Sequence, residues 1–147
     1  MTKQIALSML MVWMWAVAIG AAELSARLLD PYLRVQVALA ADTIQGVKQE
    51  AAAIAKAATE LGQPAAKLAD TASKLEAAAD LKTARAAFGD LSSALIAYAE
   101  ATGSTPPADV KVAVCPMVPN PWLQKGDEVR NPYYGADMLH CGEIKKK

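Results

Sequence analysis

IQGVKQEAAAIAKAATELGQP, residues 44–64, is the stretch whose reading decides the fold. Apolar residues recur at Ile44, Val47, Ala51, Ile54, Ala58 and Leu61, in alternating steps of three and four, which is the period of one helix face. Gly62 followed by Pro64 stops the pattern, because glycine suits the residue after a helix and proline cannot continue one.

Toward the N-terminus, Leu28, Tyr32, Val35 and Leu39 make an earlier stripe, and Asp30-Pro31 offers a capping residue before a proline suited to the first helical position. Extending that phase would bury Asp42, Gly46 and Gln49. A break is therefore expected near residues 40–42, with Asp42 and Gln45 making a capping-box-like restart. Toward the C-terminus, Ala65, Leu68, Ala72, Leu75 and Ala79 form a third stripe. A phase change at Asp80 opens a fourth through Leu81, Ala84, Phe88, Leu91, Leu95 and Tyr98, stopped by Gly103 and Pro106-Pro107.

Beyond residue 107 the helical period ends. DVKVAVC, residues 109–115, alternates like a strand, with Val110, Val112 and Val114 on one side and Lys111, Ala113 and Cys115 on the other. Asn120-Pro121, Gly126-Asp127 and Asn131-Pro132 are turn signals that fold the chain back, returning residues 138–143 beside the strand. The reading is a mainly α protein: an antiparallel four-helix bundle over residues 23–103 with a small two-stranded C-terminal lobe over 104–147 carrying both cysteines, the whole forming one mature domain, 23–147.

Residues 1–22 have the pattern of a signal peptide: Lys3, an apolar run from Ile5 to Ile19, then Gly20-Ala21-Ala22. That run falls short of the ~20 residues that cross a bilayer, so cleavage after Ala22 is expected, leaving an exported, periplasmic or secreted protein with no membrane span. The full chain balances 15 basic against 15 acidic residues, and no basic surface for nucleic acid is expected. Lys145-Lys146-Lys147 reads as a solvated tail.

CPM at 115–117, WLQ at 122–124, NPYYG at 131–135, ML at 138–139 and CGE at 141–143, following an alanine-rich helical region, resemble a bacterial periplasmic family of domains of unknown function. LLDPYLRVQVALAAD and ARAAFGDLSSAL look like its helical landmarks. Members of that family occur as small exported proteins and appended to CusB-like copper and silver efflux adaptors. The resemblance implies a copper- or silver-related periplasmic role, by association with efflux machinery rather than by a known reaction, with a membrane efflux component as partner. Matched position by position, it places Cys115 and Met117 in one motif and Met138 and Cys141 in another, with Trp122, Asn131, Pro132, Tyr133, Tyr134 and Gly135 as landmarks between them. His140, the single histidine, has no place in the pattern.

The residues themselves leave two readings open. Two thiolates and two thioethers form a soft donor set that selects Cu(I) or Ag(I) over zinc, with His140 as an added candidate ligand. Trp122 either lies over the bound cation or packs. The other reading is a Cys115–Cys141 disulfide stapling a helical interaction module that binds no metal, with Met117 and Met138 filling gaps in the core. The pair could also alternate between the two states. Of Tyr133 and Tyr134, adjacent in the chain, one is expected to be exposed, either lying flat on the lobe or serving as a docking residue, with Asn131 in a supporting place. No enzyme is expected: C-x-x-C, zinc-protease and glycine-rich phosphate motifs are absent, and Asp70, Glu76, Asp90 and Glu100 fall on helix surfaces.

Overall fold

The computed structural model describes residues 22–146. The expected signal peptide, apart from Ala22, lies outside the described residues. Among the described residues there are four α-helices: α1 (Ala26–Ala40), α2 (Val47–Leu61), α3 (Ala66–Glu76) and α4 (Leu81–Thr102). A three-stranded antiparallel sheet follows, of β1 (Val110–Val114), β2 (Trp122–Lys125) and β3 (Glu143–Ile144), in the order β2-β1-β3. No helix among the described residues is long and apolar enough to cross a membrane.

Helix α1 begins at Ala26, earlier than Asp30-Pro31 suggested, and carries Pro31 in its interior. The backbone carbonyl of Ser25 accepts from the amides of Leu28 and Leu29. Both leucines are buried, and at roughly 1.5–3 kcal/mol each their burial offsets the ~3 kcal/mol that an interior proline costs. Helix α2 also departs from expectation. Asp42 has a left-handed backbone (φ 57°) and caps nothing, while the local bond is from the Gln45 amide to Thr43 Oγ1. Ile44 is 40% exposed and lies outside the helix whose face it was expected to begin. Helix α4 starts in a reciprocal capping box: the Thr83 amide donates to the Asp80 carboxylate, and the Asp80 amide to Thr83 Oγ1. It ends at Gly103.

The helices pack in chain order, α1 on α2, α2 on α3 and α3 on α4, through faces rich in buried alanine (Ala51, Ala58, Ala72 and Ala84). Strand β2 packs against both α1 and α4, which touch each other only lightly. One hydrophobic core results, running from Leu28 and Phe88 of the helices to Val110, Ala113, Trp122 and Leu123 of the sheet.

The expected two-stranded lobe is corrected to three strands. The expected return beside β1 is present as β3, at Glu143–Ile144, held by Ala113↔Ile144, Val114↔Glu143 and a bond from the Lys145 amide to the Val112 carbonyl; the strand that was not expected is β2, which pairs with the other edge of β1. The buried face of β1 includes Ala113 and Cys115, whereas Val112 and Val114 are half-buried. Ala113 pairs directly with Trp122 on the same face, and its small side chain leaves room for the indole.

Candidate functional site

Strand β1 delivers Cys115 to the edge of the core, where it is buried and disulfide-bonded to Cys141, with Cα atoms 5.8 Å apart. Cys141 is half-buried. An open cleft of about 510 Å³ lies over the bond, lined by Val114, Cys115, Pro116, Cys141, Gly142 and Glu143.

Met117 and Met138 each lie within one turn of a cysteine. The Val118 amide donates to the Cys115 carbonyl (3.2 Å), closing a turn that contains Met117. The Cys141 amide donates to the Met138 carbonyl (3.0 Å), closing a second turn. Met117 is 62% exposed and Met138 half-buried, so Met117 does not fill a gap in the core. Neither methionine lines the cleft over the disulfide.

His140 does not join the sulfur residues by any hydrogen bond. Its Nδ1 lies 3.0 Å from the Val129 carbonyl oxygen, which makes that nitrogen the protonated one, and Glu128 is 3.8 Å away. Among the described residues no group of three or more His, Cys, Asp or Glu side chains is arranged to hold a metal ion. Any soft-metal site here would depend on methionine sulfur, and a disulfide offers no thiolate, so the donor set fits Cu(I) only after reduction.

Trp122 is fully buried, which leaves no face open to a cation; the packing reading describes it. Its Nε1 donates to Gln124 Oε1 (3.0 Å), and its ring meets Tyr133 edge-on at 5.8 Å. Neither tyrosine is fully exposed, contrary to expectation: both are half-buried. Tyr133 packs near Phe88 and donates to the Pro121 carbonyl (3.3 Å), and burial raises its pKa above the ordinary range. Tyr134 lines a shallow cavity of about 520 Å³ with Leu81, Lys82 and Arg85.

Asn131 is fully buried and uses every polar atom it has. Its amide donates to the Leu139 carbonyl (2.7 Å), its carbonyl accepts from Gly135, its Oδ1 accepts from the Tyr133 amide (2.8 Å), and its Nδ2 donates to the Cys141 carbonyl (3.0 Å).

Several residues that hold this region lie on or between the helices: Tyr32 shows in the sequence only as part of a stripe, Asp42 only as a cap, and Gln36, Arg85 and Ser92 carry no signal of their own. The Leu123 amide donates to Tyr32 Oη, Tyr32 to Ser92 Oγ, and Ser92 to the Pro121 carbonyl, a relay whose direction follows because a carbonyl can only accept. Burial drives the Tyr32 pKa up, so this hydroxyl stays protonated. Gln36 Nε2 donates to the Arg130 carbonyl (2.7 Å). Arg85 donates to the carbonyls of Pro132 and Leu39 (both 2.9 Å) and to Asp42 Oδ1 (2.7 Å). Asp42 Oδ2 accepts from the Ala136 amide (2.9 Å), and these two bonds hold the Asp42 carboxyl below the usual range. Among the described residues no buried side-chain nitrogen or oxygen lacks a partner.

No curated protein and no solved structure matches the chain. Residues 28–106 match the family described as "Protein of unknown function (DUF3347)", a span that takes in all of α2, α3 and α4 and most of α1 but stops before Cys115, so the likeness found lies in the helices and not in the cysteine motifs. With more than half of its length covered by that match, the chain belongs to the DUF3347 family of proteins of unknown function.

Proposed function

We propose that this protein is an exported, non-catalytic module of metal homeostasis or efflux whose cysteine pair alternates between a disulfide and a soft-metal site for Cu(I) or Ag(I). The ligands are Cys115, Cys141, Met117 and Met138. His140 is left out because its ring lies against Val129 and Glu128 and shares no hydrogen bond with the sulfur residues. The observation that carries this reading is Met117, a large apolar thioether left 62% exposed in the turn that follows a buried cysteine. The turn closed by the Cys141 amide on the Met138 carbonyl keeps a second methionine within one turn of the other half of the pair. Softness supplies the selectivity, since thiolate and thioether sulfur favour monovalent copper and silver.

The scaffold in this reading is an antiparallel up-and-down helical bundle, supported by packing in chain order through short links. A periplasmic location is favoured because disulfides persist in oxidising compartments. A membrane efflux component is the proposed partner, on the strength of the motif resemblance alone.

Anaerobic titration of the reduced protein with Cu(I) tests the reading. One equivalent is expected to bind, affinity should collapse in Cys115→Ser or Cys141→Ser, and Met117→Leu should weaken it while leaving the fold intact, since leucine keeps most of the volume and removes the sulfur. A second reading, a stapled helical interaction module with no metal, is favoured by the disulfide itself. It replaces the first if the reduced protein ignores Cu(I) and Ag(I).

A further inference from the structure

The loop that carries Cys141 is fastened to the helices at three backbone points. Gln36 of α1 holds the Arg130 carbonyl, Arg85 of α4 holds the Pro132 carbonyl, and Asp42 between α1 and α2 holds the Ala136 amide. Arg85 and Asp42 are joined to each other, and Arg85 also ties back to the Leu39 carbonyl at the end of α1. Inside the loop, Asn131 carries this restraint to the Cys141 carbonyl. On the other side, Cys115 follows a strand paired on both edges, and Asn120, one turn further on, donates to the Gly89 carbonyl and Ser93 Oγ of α4.

Two glycines allow the approach. A Cβ on Gly135 would fall 2.1 Å from Asp42 Oδ1, and one on Gly142 would fall 2.6 Å from the Val114 carbonyl oxygen; both residues have positive φ. None of these restraints runs through the sulfur–sulfur bond.

We infer that Arg85, with Asp42, Gln36 and Asn131, is a positioning residue that keeps Cys141 beside Cys115 whether or not the two are bonded. The helical region, which is the part the family match covers, thereby sets the geometry of a sulfur pair that lies outside that match. The inference rests on the proposed function only in taking the pair as the working part of the molecule. Reduction then leaves two thiols already juxtaposed, the arrangement that either rapid reclosure or metal capture requires.

The test is made without metal, by letting fully reduced protein react with oxidised glutathione. One protein thiolate, that of the more accessible Cys141, attacks the glutathione disulfide, forming a mixed disulfide and releasing one glutathione thiolate. The second protein thiolate then displaces the other glutathione. The protein dithiol loses two electrons and two protons, and the oxidant becomes two reduced glutathiones.

The first-order second step reports how close the thiols are held. It is expected to be fast in the wild type and slower by roughly tenfold or more in Arg85→Gln. Closure at the wild-type rate in that variant, with helical content retained, overturns the inference. Because a slow closure in Arg85→Gln also follows from outright unfolding of the loop, amide exchange in Cys115→Ser/Cys141→Ser supplies a second readout. Protection of the Ala136 and Lys145 amides is expected to persist there, and its loss to the level of an open loop overturns the inference. A reduced protein that closes fast but takes up no Cu(I) removes the metal reading and leaves the positioning role standing.

Discussion

Residues 47–76 and residues 115–142 are of comparable length but are held by different means. The first stretch, α2 and α3, buries Val47, Ala51, Ile54, Ala58, Leu68, Ala72 and Leu75 along regular faces. Its stability is spread over many small contributions of apolar area. The second buries one very large side chain, Trp122, and two amides, Gln124 and Asn131, and depends on single hydrogen bonds to Tyr32, Gln36, Arg85 and Ser92. Few of its contacts are interchangeable, so single substitutions there should have larger and more varied effects. It also requires the helices to be in place, since its partners are on α1 and α4.

The largest expected effect tests that dependence at the point where the two regions share a core. Trp122→Ala should cost about 3–5 kcal/mol through the cavity it leaves, lowering the urea midpoint of one cooperative transition followed by far-ultraviolet circular dichroism. Two separated transitions, with the helical signal unmoved, would break the comparison by showing that the regions fold independently. Next in size, reducing the disulfide should cost about 3 kcal/mol in the chain-entropy account, given a sequence separation of 26 residues. Helical content should be retained at 25 °C. A loss of helix on reduction would mean that the staple supports the helical region and not only the C-terminal region.

Ser92→Ala should cost about 2 kcal/mol, because it leaves the buried Tyr32 hydroxyl without its acceptor and removes one donor from the Pro121 carbonyl. Equilibrium denaturation measures it, and a neutral result would show that the relay contributes nothing beyond packing.

The smallest effect is a pH dependence. Asp42 and Asp80 both have carboxyls held below their ordinary value of 3.8, Asp42 first by the Ala136 amide and then by Arg85, and Asp80 by the amide and hydroxyl of Thr83. A lowered folded-state pKa contributes stability that is present above the unfolded value and lost as pH falls through the folded one, so the loss should appear below pH 3.8. Asp42→Ala should flatten that acid limb and release the Ala136 amide to exchange, while Asp80→Ala should flatten it and fray the start of α4. Identical exchange patterns in the two variants would erase the distinction between a contact that joins regions and one that only starts a helix.

The faces of α2, α3 and α4 were legible because each is a local repeat: Val47 to Ile54, Leu68 to Leu75 and Ala84 to Leu95 all fall on buried positions. The misses occurred where a local rule met a tertiary one. Pro31 reads as a helix start, yet burial of Leu28 and Leu29 carries the helix through it. Asp42 reads as a cap, yet its carboxylate serves Arg85 and Ala136, a residue 94 positions away. In the candidate site, both cysteines and both methionines were legible as sulfur chemistry, and Asn131 as a landmark. Tyr32, Gln36 and Arg85 were not, because each occupies a helical position and shows its role only once the loop lies against it.

The sequence by itself determined that the chain is mainly helical, where three of the four helices among the described residues lie, and that both cysteines sit in short motifs that each carry a methionine. Period and turn chemistry act over a few neighbouring residues, so they can be read from those residues alone. Only the tertiary structure decided that the cysteines are joined, that β2 adds a third strand, that Trp122 belongs to the helical core and that Met117 remains at the surface. Each of these depends on which distant segments come within a few ångströms, and that is set by the packing of the whole core and by directional bonds between residues far apart in the chain.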